Sequence, residues 1–509
     1  MNREVRSLAP ARHDLEWWID HGYRAHVNVE FTGSTSFPWA SGIEHSFTGD
    51  LLSQWREIER EFPGVTFRPL CPDLEVPLLE RLQAEAQASA PGERLPRLRN
   101  FFTVECPRGR PPHLLAERLG KLSLVARARL EDPPARPPVV NWQDDPLANP
   151  RSGDYQRYLH EPPAGVSAPS VWGIPGGDGL KVVIADLEQG WYLNHPDLPS
   201  IPPPQPPGLN YGALEHGVGV LGILFARDDS RGCVGLAPRA QGRVVSEYWS
   251  DPPPPPVRAD PQDDGAWHSR ARALLFANSL LGPGDILLIE SQIETPDSAG
   301  VWHGYPVEYD SFDHGFIRFA SRRGVVVVEC AGDSRPDDLD DPALGGLFTE
   351  PGRHSGAIMV SAGEWKEDLG GFQRAGLCNF GSRVDCFSWG EAVVTLGPPG
   401  AAPDPTMPAG YVSTFNSTSS AAAIVAGCAA LVQSLARRAG QAPLHPEQVR
   451  GLLRDWDINT RTRGDAFSLS RAQSQDRIGV QPRLDRIAER MWSSRPQRRA
   501  DNDLLDRRS

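Results

Sequence analysis

The chain lacks any run of apolar residues that reads as a membrane span, and its first twenty residues, MNREVRSLAPARHDLEWWID, hold no apolar core of signal-peptide length. It is also short of positive charge. Fifty-two Lys and Arg against 65 Asp and Glu leave a formal charge of −13, which argues against a general nucleic-acid binder. The seven cysteines (71, 106, 233, 330, 378, 386 and 428) are odd in number and form no C-x-x-C pair, so neither a disulfide framework nor a zinc site is indicated. Cys330 and Cys428 lie in apolar segments and read as buried thiols. These absences lead to the expectation of a soluble, cytoplasmic protein with no membrane and no nucleic-acid partner.

What is present is length, proline and glycine. A chain of 509 residues can bury a sizeable core and divides into two or more domains, or one large domain with additions. The 50 prolines and 49 glycines cluster, in IPPPQPPG (201–208), DPPPPPV (251–257) and EDPPARPPVV (131–140), as loops or linkers of polyproline II type. The last of these divides the chain. Before it, YRAHVNVEF, VTFRPL, NFFTVEC and SLVARARLE read as strands, and LLSQWREIERE, EVPLLERLQAEAQA and HLLAERLGKL have helical spacing. After it, KVVIAD, GRVVSE, DILLIES, GVVVVECAG and AIMVSAG are continuous apolar strands separated by helices, the pattern of a parallel sheet covered on both faces. The expected division is 1–131, a small α+β domain; 132–164, a proline-rich linker; 165–492, the α/β domain; and 493–509, a charged tail too poor in apolar residues to order.

The segment YVSTFNSTSSAAAIVAG (411–427) sets four serines before an apolar helix, where hydroxyls serve as N-caps whether or not one of them reacts. From Ala421 to Val432 the helix is apolar all round, so it belongs in a large core, and the apolar run is too short to span a bilayer. Asp186 ends the strand GLKVVIAD at the rim of the sheet, where open α/β sheets carry their sites. His216 opens the glycine-rich helix of EHGVGVLGILFA. An acid, a histidine and a serine in this order are the chain order of the subtilisin triad.

These segments resemble the subtilisin-like serine peptidases, whose histidine stands in H-G-T-H-V-A-G and whose serine stands in G-T-S-M-A-x-P-H-V-A-G. The resemblance covers about residues 165–485 and includes GCVGLAP, GVVVVECAGD and NFGSRVDCFSWG. It implies a three-layer α/β catalytic domain with a mostly parallel sheet, preceded by a ferredoxin-like α+β prodomain. It also implies Asp186, His216 and Ser419 as the triad, Asp333 at the oxyanion position, and Glu290, Ser291, Gln292, Cys330, Ala331 and Gly332 along the two edges that hold an extended peptide. The chain departs from the family in several places, among them Glu290 and Gln292, which occupy positions that are commonly Ser and Gly. LEQG follows Asp186 where Ser/Thr-Gly is usual, with two extra residues before HPDL. Ser417 replaces a glycine, Ala423 and Ile424 replace Pro-His, and Asp333 replaces the oxyanion asparagine.

The implied activity is selective serine endopeptidase chemistry on protein or peptide substrates, with the N-terminal domain as intramolecular inhibitor. The alternative is a catalytically weak or inactive peptide-binding protein of the same fold. No cofactor is expected. Calcium is possible, and DDLDDP (337–342) and RDDS (227–230) carry oxygen ligands, but neither has EF-hand spacing and no metal ligand is assigned. His195 reads as structural, and His268 as the first residue of a helix, facing a helix end or solvent.

Overall fold

Alternation along β1, His26–Phe31, organises the N-terminal sheet: Val27, Val29 and Phe31 are buried and the residues between them are not. The structure, a computed structural model, describes residues 24–493 apart from short internal stretches, among them 90–96, 132–139, 250–266 and 399–406. Helix α1 (Gly49–Glu61) follows β1, then β2 (Phe67–Pro69), α2 (Val76–Ser89), β3 (Phe101–Glu105), α3 (Pro112–Gly120) and β4 (Val125–Leu130). The four strands pair antiparallel in the order β2-β3-β1-β4. This is the ferredoxin-like arrangement with α2 added between β2 and β3. Trp55 of α1 and Leu115 and Leu119 of α3 belong to one core with Phe31, Phe67 and Phe102.

The chain divides into two compact units after Ala135. The expected linker at 132–164 is therefore corrected. Residues 132–139 lie outside the described residues, but Val140, Leu147, Tyr158 and Leu159 are buried in the core of the second unit. Gln156 stitches this segment down, donating from Nε2 to Val234 O at 2.9 Å and accepting the Val234 N–H at 2.9 Å. Proline content masked the spaced apolar residues that do this packing. The proline runs at 205–207 and 251–257, and the tail from 494 to 509, also lie outside the described residues.

In the second unit β5 (Val183–Glu188), β6 (Gln241–Ser246), β7 (Ile286–Ile289), β10 (Val326–Cys330), β11 (Ile358–Lys366) and β13 (Cys386–Trp389) pair in parallel, in the order β6-β5-β7-β10-β11-β13. An antiparallel strand, β12 (Gly371–Arg374), also pairs with β11, and β8 (Gln292–Pro296) forms a separate hairpin with β9 (Trp302–Pro306). Alternate residues of the parallel strands face opposite layers. Ile184, Leu288 and Val328 share a core with α4 (Leu214–Phe225) and α7 (Ser417–Arg438), while Ala185, Leu187, Leu287 and Val327 share one with α5 (Arg270–Leu280) and α6 (Ser311–Arg322). Three layers follow directly, because both faces of each strand are apolar.

Helix α7 is longer than its apolar run suggests. By length and composition it could cross a bilayer, contrary to the expectation from the apolar run alone, yet it is wholly enclosed by protein. Its burial places the serines at its start firmly against β13: Ser417 donates its N–H to Gly390 O at 2.8 Å, and Ser420 donates its hydroxyl to Trp389 O at 2.8 Å.

Candidate active site

Four hydroxyls begin α7, and their surroundings separate them. Thr418 and Ser420 are 2% and 0% exposed, Ser417 is engaged by Asp333, and Ser419 is 9% exposed. Among the described residues, the Ser419 hydroxyl makes no hydrogen bond. It sits in the first turn, where backbone N–H groups have no partner within the helix and the dipole favours negative charge. Ser417 has φ +73°, a left-handed conformation rarely adopted by a residue with a side chain, which explains why glycine is usual there.

His216 lies in the first turn of α4, its ring packed edge-on against Phe415 at 5.4 Å between centroids. A side chain at Gly217 would collide with Gly190 O at 2.1 Å, so this glycine lets the histidine turn rest on the loop after β5. His216 Nδ1 bonds to Glu188 Oε2 at 2.8 Å. The acid on the histidine is thus Glu188, a correction to the expected Asp186. The two acids are two residues apart on β5 and point to the same side of the sheet. Asp186 is fully buried beneath, and its Oδ2 accepts from Trp191 Nε1 at 2.7 Å.

The remaining oxygens, Asp186 Oδ1 and Glu188 Oε1, are buried without an N–H or O–H partner. The two buried carboxyls lie within reach of each other, and a proton on one of them relieves the repulsion of two buried charges. Burial holds both carboxyls well above the usual range, and because the Glu188 charge raises Asp186 further while the interaction with Asp186 lowers Glu188, the proton belongs on Asp186 and Glu188 faces His216. The sequence does contain the signal. Taking Glu188-Gln189-Gly190 as the acid, variable and glycine positions removes both irregularities noted before HPDL.

Asp333 follows β10 through Gly332, whose φ of +92° turns the chain. Its carboxyl accepts the Ser417 hydroxyl, and burial raises its pKa. The His216 charge acts on both Asp333 and Glu290. Gln292 ties β8 to the loop after β10: its Oε1 accepts the Asp333 N–H at 2.9 Å, and its Nε2 donates to Ser334 Oγ at 3.3 Å. The other expected edge residues point inward. Cys330 Sγ lies 3.4 Å from Glu290 Oε2, Ser291 donates its hydroxyl to Glu247, and Cys330, Ala331, Gly332 and Glu290 are buried. Only Ser291 and Gln292 of this set are half-exposed.

His195 is buried, with Nε2 on Gly410 O at 2.8 Å and Nδ1 accepting the Asp197 N–H at 3.1 Å. His268 precedes α5, whose cap is Ser269; it is exposed to solvent, as expected, and one ring nitrogen also bonds to the buried Glu247 at 2.9 Å. In DDLDDP the carboxylates are taken, Asp337 by His303 at 2.9 Å, and Asp338 and Asp340 by Arg477 at 2.6 and 3.0 Å. Asp228 of RDDS instead joins Asp144 and Asp145, their oxygens within 4.8 Å of one another. Asp145 Oδ2 is buried and unpartnered, and burial pushes that carboxyl up to about 8, so these three residues could hold a cation.

Comparison with known proteins places this geometry. Residues 181–474 match the Subtilase family, peptidase S8. An intracellular serine protease of Paenibacillus polymyxa is 25% identical over 293 residues, 55% of this chain and 76% of that protein. Thermitase of Thermoactinomyces vulgaris is 25% identical over 286 residues, 54% of this chain and 83% of its own. Among solved structures, a lanthipeptide protease aligns with a TM-score of 0.45 and 19% identity, covering 66% of this chain and 95% of that one. The prenylagaramide maturation protease PagA aligns at 0.43 and 20%, covering 63% and 97%. With the family match spanning more than half of its length, the chain belongs to the subtilase family of serine endopeptidases.

Proposed function

We propose that Ser419 is the nucleophile, His216 its general base, and Glu188 the acid that orients the imidazole. The observation that carries this reading is the 2.8 Å bond from His216 Nδ1 to a buried carboxylate, which leaves Nε2 available to a hydroxyl. Ser419 Oγ attacks the peptide carbonyl as its proton passes to His216, and the amine leaves with that proton. Water then attacks the acyl-enzyme by the same route, with His216 again taking and returning the proton. The oxyanion faces the Ser419 backbone N–H and Asp333, which serves as a donor only when protonated. A serine-directed fluorophosphonate tests the assignment: the wild type labels once and Ser419→Ala does not. A wild type that never labels, at any pH tried, favours the peptide-binding alternative. That alternative draws support from Asp333, which accepts a hydrogen bond from Ser417 where the family presents a donor.

Gln292, lying across the cleft from β8 to the loop after β10, restricts the first subsite, so the enzyme selects small side chains at the cleavage position. Gln292→Gly should raise kcat/KM for peptides with a large residue there by at least about tenfold, the scale of a few methylenes in an apolar pocket. An unchanged preference in a peptide library would remove this role.

The N-terminal unit acts in this reading as an inhibitory domain, with the proline-rich stretch at 132–139 as the cleavage region. Time-resolved mass analysis checks the self-processing form. Wild type should lose about its first 135 residues while Ser419→Ala stays intact, and identical intact masses would end that idea. The cytoplasmic setting rests on seven cysteines that are all unpaired. Calcium, if bound, sits among Asp144, Asp145 and Asp228. It should raise the unfolding temperature of the wild type and leave Asp145→Asn unchanged.

A further inference from the structure

A cavity of about 510 Å³ opens at the opposite end of the sheet from Ser419. Its wall includes His354 and Arg383–Val384, which precede β11 and β13, whereas the serine helix is bonded to Trp389 and Gly390, beyond the other end of β13. Arg353 adjoins His354, and arginines from two further segments converge there: Arg450 and Arg454, then Arg471 and Arg477.

Their partners are too few. Asp385, fully buried behind the wall, serves four guanidiniums at once: Arg383 at 3.1 Å, Arg450 at 2.6 Å, Arg454 at 3.1 Å and Arg471 at 3.1 Å. Arg383 is also held by Glu308 at 2.7 Å, and Arg477 by Asp338 and Asp340. Arg353 has only the carbonyls of Glu308 and Tyr309, both at 3.1 Å. Arg450, Arg454 and Arg471 therefore share one carboxylate with Arg383, no carboxylate among the described residues pairs with Arg353, and the only other acid on the wall beyond Glu308 and Asp340 is the exposed Glu350.

His354 adds a donor with nothing to donate to. Its Nδ1 accepts the Gly356 N–H at 2.8 Å, so in the neutral ring the proton is on Nε2. That atom is buried and has no partner among the described residues. Burial and the neighbouring Arg383 and Arg450 push the imidazole down to about 4, so it stays a neutral donor near physiological pH. A buried donor left unpaired is costly, and surplus guanidiniums beside it supply the complementary charge for an acceptor-rich guest.

We propose that this cavity binds a phosphoryl-bearing anion, held by Arg353, Arg450, Arg454 and Arg471 with His354 Nε2 as an added donor. A phosphoryl group presents several charged oxygens to arginines arriving from separate segments, where a single carboxylate offers two. The volume suits a small molecule rather than a bare ion. The site is separate from the peptide cleft and does not depend on the triad assignment.

Calorimetric titration of the full chain with pyrophosphate, at fixed ionic strength in sodium chloride, tests the proposal. Inorganic phosphate and citrate serve as parallel arms. One saturable site per chain is expected, with phosphate weaker and citrate weaker still. Arg454→Gln should weaken pyrophosphate binding at least about tenfold, and so should His354→Asn, which keeps an acceptor near the Nδ1 position. Prior labelling of Ser419 should leave the affinity unchanged. No saturable heat, citrate binding as tight as pyrophosphate, or unaltered binding in either folded variant would overturn the proposal. Should Arg454→Gln lose cooperative unfolding, His354→Asn decides alone.

Discussion

Glu188→Gln will lower kcat by about four orders of magnitude, while Asp186→Asn will cost no more than about a hundredfold. The first figure is typical of neutralising a triad acid, because an amide cannot stabilise the imidazolium that forms as the serine proton transfers. The second follows from geometry. Asp186 touches Trp191 and Glu188 but not His216, and its carboxyl holds a proton that an asparagine N–H can replace. Asparagine would keep an acceptor for Trp191 and a donor for Glu188. Steady-state kinetics with a cleaved peptide, together with fluorophosphonate labelling rates, measure both effects. Equal losses in the two variants would return the orienting role to Asp186.

Asp333→Asn will raise kcat near neutral pH by up to about a hundredfold and remove the alkaline decline of the wild type. The sign follows from the role of the proton. Burial raises the Asp333 pKa, so at low pH the carboxyl is neutral and can donate to the oxyanion; as pH rises through that pKa it becomes an acceptor and repels the developing charge. His216 must at the same time be neutral to act as base. Wild-type activity is therefore expected to decline on the alkaline side as Asp333 loses its proton. One oxyanion donor is typically worth about a hundred- to a thousandfold in kcat, which bounds the gain an amide can restore. The variant also keeps an acceptor for Ser417 and should fold normally. A variant slower at every pH would show that Asp333 serves structure or substrate selection instead.

The parallel strands were legible because each is apolar on both faces, and the helix from Ser417 because Ala421 to Val432 interrupts itself nowhere with charge. The positions of His216 and Ser419 at helix starts were legible because each opens an apolar helix. The acid was not, since β5 carries two carboxylates on one face and a motif reading stops at the first. Only the tertiary contact with His216 distinguishes them. The segment from Val140 to Ala164 was lost to its prolines for a similar reason: composition reports the loop conformation, whereas Leu147 and Tyr158 report the packing. The arginine cavity had no local signature at all, because its arginines come from positions spread between 353 and 477 and meet only through the sheet.

The enclosed helix Ser417–Arg438 also sets the order in which the enzyme comes into being. Its partners in the sheet and α4 leave the ribosome before it, the helices Pro446–Leu453 and Leu484–Ser493 that also pack on it leave after it, and it fills the layer against which β7, β10, β11 and β13 close. Until it arrives, the nascent chain carries Glu188 and His216 on an unfinished sheet with no nucleophile. The proposed nucleophile and the segment that fills this layer are the same piece of polypeptide, so proteolytic competence cannot precede that packing. A chain interrupted before residue 417 would be both incompletely packed and incapable of attacking its neighbours.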